Sequence, residues 1–207
     1  YYTFGIGKMH WFPQKALHGF HATLVDESGR SETRDFISDY REWFQLQAPG
    51  KNPDLTGIGW NNHNAGTYKL EERLHPTAWT GQTACELIRN YDSDQPLFLK
   101  VSFARPHSPY DPPKRLVDLY KDKDVPAPFV GEWCKDKDYA VRQDAKLADK
   151  DAAFGNFGEE YAKNSRRYYY ANVTFIDEEI GKVVQALKEQ GMYDNALICY
   201  ISDHGDM

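Results

Sequence analysis

Leu97-Phe-Leu-Lys-Val-Ser-Phe103, followed at once by Ala104-Arg105-Pro106-His107-Ser108-Pro109, is the stretch that decides the fold. The near-continuous apolar run predicts a strand covered on both faces, as in a parallel sheet. Pro106, Pro109, Pro112 and Pro113 then force an extended loop. In an open α/β sheet, ligands and reacting groups gather beyond the carboxyl ends of the strands. His107 therefore stands where chemistry is expected.

The same arrangement recurs near both ends. Tyr1–Ile6 reads as a short strand bounded by glycines, and Gly7-Lys8-Met9-His10-Trp11 follows it. Asn195–Ser202 reads as a buried strand, and Asp203-His204-Gly205-Asp206 follows that. Between them, Phe36, Ile37, Tyr40, Trp43 and Phe44 have helical spacing over 35–47, and Pro49-Gly50 stops the pattern. Thr77 reads as the N-cap of a helix through Asn90, with Ala78, Thr83, Ala84, Leu87 and Ile88 on one side. A long helix is predicted over 165–190; its apolar stripe runs from Tyr169 through Phe175, Ile176 and Ile180 to Leu187, and Gly191 ends it. Residues 12–34 and 51–75 read mostly as loop, and the charged segment 121–165 as a solvated excursion. The order of elements predicts an α/β fold with a mostly parallel sheet flanked by helices, the last helix crossing over to the last strand.

A chain of 207 residues can bury one sizeable core. No apolar run approaches the roughly 20 residues a membrane-spanning helix needs, so no membrane span is expected. A net charge of -6 argues against nucleic acid as a partner, since phosphate backbones demand a basic face. Cys85, Cys134 and Cys199 are widely spaced and give no disulfide framework. Cys85 reads as a helix residue, and Cys199, inside Ala196–Ile201, as a small buried hydrophobe. The 14 Tyr, 11 Phe and 5 Trp suit aromatic-lined clefts, but a bulky core explains them at least as well.

Each candidate group has two readings. Asp203 and His204, with Gly205 allowing a tight turn, can aim two ligands at one metal ion, or form an ordinary turn. Lys8 and His10 are two apart, so on an extended segment both point to one face. An ammonium and an imidazole there suit an anionic tetrahedral group and its leaving oxygen; otherwise they are a surface lysine beside a partly buried histidine. His107, stiffened by its flanking prolines, is a preorganised general acid or part of a rigid loop without function.

Taken together, Gly7-Lys8-Met9-His10, Phe103-Ala-Arg-Pro-His107-Ser-Pro109 and Ser202-Asp203-His204-Gly205-Asp206 resemble the type I sulfatases of the alkaline phosphatase superfamily. His18-Gly-Phe20, Asp39-Tyr-Arg-Glu-Trp43 and Asn172-Val-Thr-Phe-Ile-Asp177 are similar to bacterial members as well. The resemblance implies that Lys8 contacts a sulfate oxygen and helps hold the nucleophile. It implies that His10 hydrogen-bonds that nucleophile and takes its proton, and that His107 helps protonate the leaving alcohol. Asp203 and His204 would bind a divalent cation. Calcium is the family's metal, but it prefers oxygen ligands. Many members carry Asn where His204 stands, so the imidazole brings Mn²⁺ into consideration.

The family's nucleophile is a formylglycine made in a Cys/Ser-x-Pro-x-Arg motif, which neither Cys85 nor Cys134 satisfies. The chain begins inside a strand without an initiator Met and stops just past the Asp-His-Gly turn, so both ends are read as cut from a longer protein. Residues 1–207 are then the central part of one sulfatase catalytic domain, lacking the nucleophile segment and the C-terminal region, and inactive alone. The expected activity of the whole is hydrolysis of a sulfate ester, of a small molecule or a glycan, in a periplasmic or secreted setting. The alternatives are a phosphonate monoester or phosphodiester hydrolase of the same superfamily, or a non-catalytic remnant that binds sulfated glycans. Oligomeric state is not readable from the residues.

Overall fold

The computed structural model describes residues 1–27, 35–129, 131–132 and 157–205. In chain order the described elements are β1 (Tyr2–Gly7), β2 (Ala22–Val25), α1 (Asp39–Gln47), α2 (Pro76–Arg89), β3 (Leu97–Ser102), α3 (Lys114–Tyr120) and α4 (Glu159–Glu189). The three strands form one sheet in the order β2-β1-β3, with both pairings parallel. This is the parallel α/β architecture expected from the sequence, with β1 in the middle. Gly7 shows how tightly it is built. At φ +93 and with Ser102 O only 2.0 Å from where a Cβ would lie, the position accepts no side chain.

The chain packs as two compact units. The first comprises Tyr1–Leu55, Leu70–Ala104 and Phe175–Asp203; the second comprises Thr56–Lys69, Arg105–Thr174 and His204–Met207. In the first unit the C-terminal half of α4 lies against α2. Cys85, Ile88 and Ala186 form a buried cluster, with Leu99, Val183, Leu187 and Met192 packed on it. Gly81 permits the approach, because a Cβ there would meet the buried Glu179 carboxylate at 2.4 Å. Phe44 and Tyr40 anchor α1, and the Tyr40 hydroxyl donates to Leu74 O at 2.8 Å.

Several elements differ from the sequence expectation. Residues 12–34 contain β2, short enough at four residues to be hidden among polar neighbours. The N-cap of α2 is His75, whose Nδ1 accepts from Thr77 N at 3.1 Å, while Thr77 lies inside the helix. α3 was not anticipated; Pro113 precedes it and supplies a helix-compatible φ. β3 is not covered on both faces, since Phe98 is 54% exposed. The largest departure is the run predicted as a last strand over 195–202. It pairs with no described strand, and Leu197 is 93% exposed. Apolar character prepares a segment for a sheet, but only a neighbouring edge with donors and acceptors makes it a strand. Cys199 is accordingly exposed rather than buried. Cys134 and most of the charged excursion lie outside the described residues.

Candidate active site

The turn after β1 is built from both sides. Lys8 N donates to Ser102 O of β3 at 2.8 Å, which carries the sheet pairing one residue past the strand. On the other side, Asp26 N donates to Gly7 O at 3.1 Å, so the residues after β2 run beside the turn. That places the carboxylate of Glu27 under the next two amides: Oε1 accepts from Met9 N at 3.0 Å and from His10 N at 2.9 Å. Glu27 is 1% exposed. Two successive N–H groups converging on one carboxylate oxygen make a small anion-binding concavity, and such charge-assisted bonds are strong.

His10 itself is exposed, with φ 57. A non-glycine residue in the left-handed region costs about 1–2 kcal/mol, so the surroundings must hold it there. Lys8 is half-buried and Met9 buried. The two-residue alternation therefore survives as a turn that sends Met9 into the core and leaves Lys8 and His10 toward the outside.

In the second unit, the loop after β3 is held by a different carboxylate. Arg105 and Asp111 form a bidentate pair, Nε to Oδ1 at 2.8 Å and Nη2 to Oδ2 at 3.1 Å, both groups almost fully buried. The Ser108 hydroxyl donates to Trp60 O, and the Trp60 ring stacks on the His107 imidazole at 4.4 Å and 27°. His107 Nδ1 lies 2.9 Å from Ser108 O. A carbonyl only accepts, so Nδ1 carries a proton, and Nε2 is the nitrogen that takes up a second proton and gives it back when the ring passes through imidazolium. The His107 ring is therefore fixed in plane, with Nε2 facing away from the Ser108 carbonyl contact.

Asp203 and His204 are exposed, and His204 Nδ1 lies 2.7 Å from Gly205 O, so its lone pair is on Nε2 in the neutral ring. Among the described residues no group of three His, Cys, Asp or Glu side chains is arranged to hold a metal ion. Two donors do not complete a calcium or manganese centre, so the described residues do not by themselves fit the cation the sequence suggested. Lys8, His10 and Asp203 belong to the first unit; His107 and His204 belong to the second.

The family model "Sulfatase" matches residues 2–207, the whole of this architecture. The chain belongs to the sulfatase family. It is 36% identical over its full length to an arylsulfatase of Clostridium perfringens, covering 44% of that protein. It is 32% identical over its full length to a choline-sulfatase of Rhizobium meliloti, covering 40%. Among solved structures, the phosphonate monoester hydrolase of Agrobacterium radiobacter superposes over 94% of this chain and 43% of its own with a TM-score of 0.61. At 17% identity that likeness concerns the fold alone, an α/β architecture as expected from the sequence. The chain thus spans less than half the length of these relatives.

Glu27, Asp111 and Trp60 were not singled out in the sequence. Glu27 follows Asp26 directly after Leu24-Val25, and an acidic pair at a strand end was the available signal. Asp111, in the proline-rich loop shortly after Arg105, offered a similar one. Nothing in the sequence pointed to Trp60, which reaches His107 only through folding. No described helix is long and apolar enough to cross a membrane.

Proposed function

We propose that the full-length protein is a sulfuric ester hydrolase, converting R–O–SO₃⁻ and water to R–OH and hydrogen sulfate. The observation that carries this reading is the fixed Lys8–His10 turn at the carboxyl end of the central strand, in a chain that matches the sulfatase model from residue 2 to 207. The Lys8 ammonium neutralises a non-bridging sulfate oxygen, whose charge must be held as the S–O bond breaks. His10 hydrogen-bonds the nucleophile and receives its proton. His107, as imidazolium, delivers its Nε2 proton to the leaving alcohol and is left as the neutral Nδ1–H ring. The attacking group is a formylglycine expected outside these 207 residues, which when present supplies a hydroxyl.

Asp203 and His204 are proposed as two donors of a divalent-cation centre completed by residues outside the described set. Ca²⁺ is the first expectation and Mn²⁺ the second, because an imidazole is a better ligand for the softer ion. Residues 1–207 form the central part of one catalytic domain, and the setting is periplasmic or secreted.

The test is peptide mass spectrometry upstream of Tyr1 in the full-length protein, paired with turnover of an aryl sulfate and an aryl phosphonate monoester. A formylglycine, with sulfate turned over in preference, is the expected result. Preference for the phosphonate overturns the sulfatase assignment in favour of phosphoryl chemistry. A full-length chain without the Cys/Ser motif overturns hydrolysis altogether and leaves a glycan-binding role.

A further inference from the structure

We infer that Glu27 is a positioning residue for His10, a buried carboxylate clamp that fixes where the imidazole points in the sulfatase reaction proposed above. Three observations converge on it. His10 has φ 57, a conformation its own backbone does not favour. Its N–H and that of Met9 both end on Glu27 Oε1, at 2.9 and 3.0 Å. Glu27 is 1% exposed, so water does not substitute for those bonds without opening the core.

The topology explains why this residue can do it. β1 and β2 are parallel and in register, with Gly7 opposite Val25, so their carboxyl ends finish side by side. Two residues past Val25, Glu27 has the reach to place its carboxylate against the amides two and three residues past Gly7. β3 secures Lys8 from the other side through Ser102 O, and Glu27 secures the next two residues. Without the clamp the His10 backbone relaxes toward negative φ, which turns its Cα–Cβ bond and carries the imidazole away from the nucleophile. Glu27 touches neither substrate nor nucleophile. It acts through His10.

The inference rests on the proposed activity only in its kinetic part, so the test has two readouts on the full-length protein. The first is amide hydrogen exchange. Glu27→Ala should strip protection from Met9 and His10, and Glu27→Gln, which keeps an acceptor oxygen, should retain it; unchanged protection in Glu27→Ala overturns the clamp.

The second readout is kinetic. Glu27→Ala should lower kcat about 100-fold, the scale of an ångström-sized misplacement, with KM shifted less than about threefold. Glu27→Gln should stay within about fivefold of the parent, losing only the charge assistance. On a His10→Ala background, Glu27→Ala should add nothing further, since coupled residues are non-additive. A parent-like kcat in Glu27→Ala, or a full multiplicative loss on the His10→Ala background, overturns the inference. If Glu27→Ala does not fold, Glu27→Asp, which draws the carboxylate back from both N–H groups, should give the same pattern at smaller amplitude. A parent that turns over no sulfate ester overturns the proposed activity, while amide exchange still decides the clamp.

Discussion

The loop that carries His107 and the run that ends at His204 looked alike as sequence, each an apolar stretch followed by a histidine. They differ completely in the structure. The first leaves a hydrogen-bonded strand and is gripped by a buried ion pair, a serine hydroxyl and a stacked indole. The second pairs with no described strand and carries Leu197, Tyr200 and Ile201 more than three-quarters exposed. A histidine becomes a positioned group through what surrounds its backbone. Hydrophobicity upstream of it is not enough.

The contrast can be broken most forcefully at the ion pair. Asp111→Ala leaves the Arg105 guanidinium buried without its carboxylate and should cost about 3–5 kcal/mol, read by urea unfolding. Replacing both partners by Met and Leu should recover most of that loss; no recovery would mean the pair has a role beyond neutralising itself. In the full-length protein, His107→Ala should lower turnover of an alkyl sulfate by at least about 100-fold and of an activated aryl sulfate far less. Equal losses on both substrates would remove His107 as the proton donor.

Gly7→Ala comes next. It forces a Cβ against Ser102 O at a positive φ and should destabilise by at least about 2 kcal/mol in thermal melts. A smaller effect follows from Glu179, whose carboxyl is pushed above its usual 4.5 by burial, with the Lys182 contact opposing. The folded state then binds a proton more tightly than the unfolded chain, so this group's contribution is present below 4.5 and is lost as pH rises through the raised value. Glu179→Gln should flatten the dependence of Tm on pH in that window; an unchanged slope would place the titration elsewhere. At the bottom of the scale, Leu197→Ser in the 207-residue chain should change stability by less than about 0.5 kcal/mol. A loss above that would mean the run packs after all.

How much of this was readable beforehand divides along physical lines. β1, β3, α2 and α4 were legible because burial imposes a period on a long enough segment. Ala84 and Ile88 on α2, and Phe175 and Ile176 on α4, repeat at helical spacing and are buried as that spacing predicts. β2 was not legible, because four residues in a polar context carry too little pattern. Lys8 and His10 stand out as candidates by type and place. Glu27 could not be tied to them, because its partners are backbone amides, which look the same at every position in a sequence. Trp60 and His107 stack across 47 residues, and nothing local announces a contact of that range.

Ala196-Leu-Ile-Cys-Tyr-Ile201 is a stretch without charge, glycine or proline, rich in residues that favour extended chain. Such a segment, standing free in solvent, is a template on which another molecule of the same kind can add as a neighbouring strand. Its central thiol, Cys199, is exposed and can then lock two molecules together by oxidation. Asp194 and Asp203, just outside it, act as acidic brakes on that stacking. The 207-residue chain handled alone should therefore precipitate as concentration rises, sooner in air than under reductant, and Ile198→Asp should be enough to keep it dispersed.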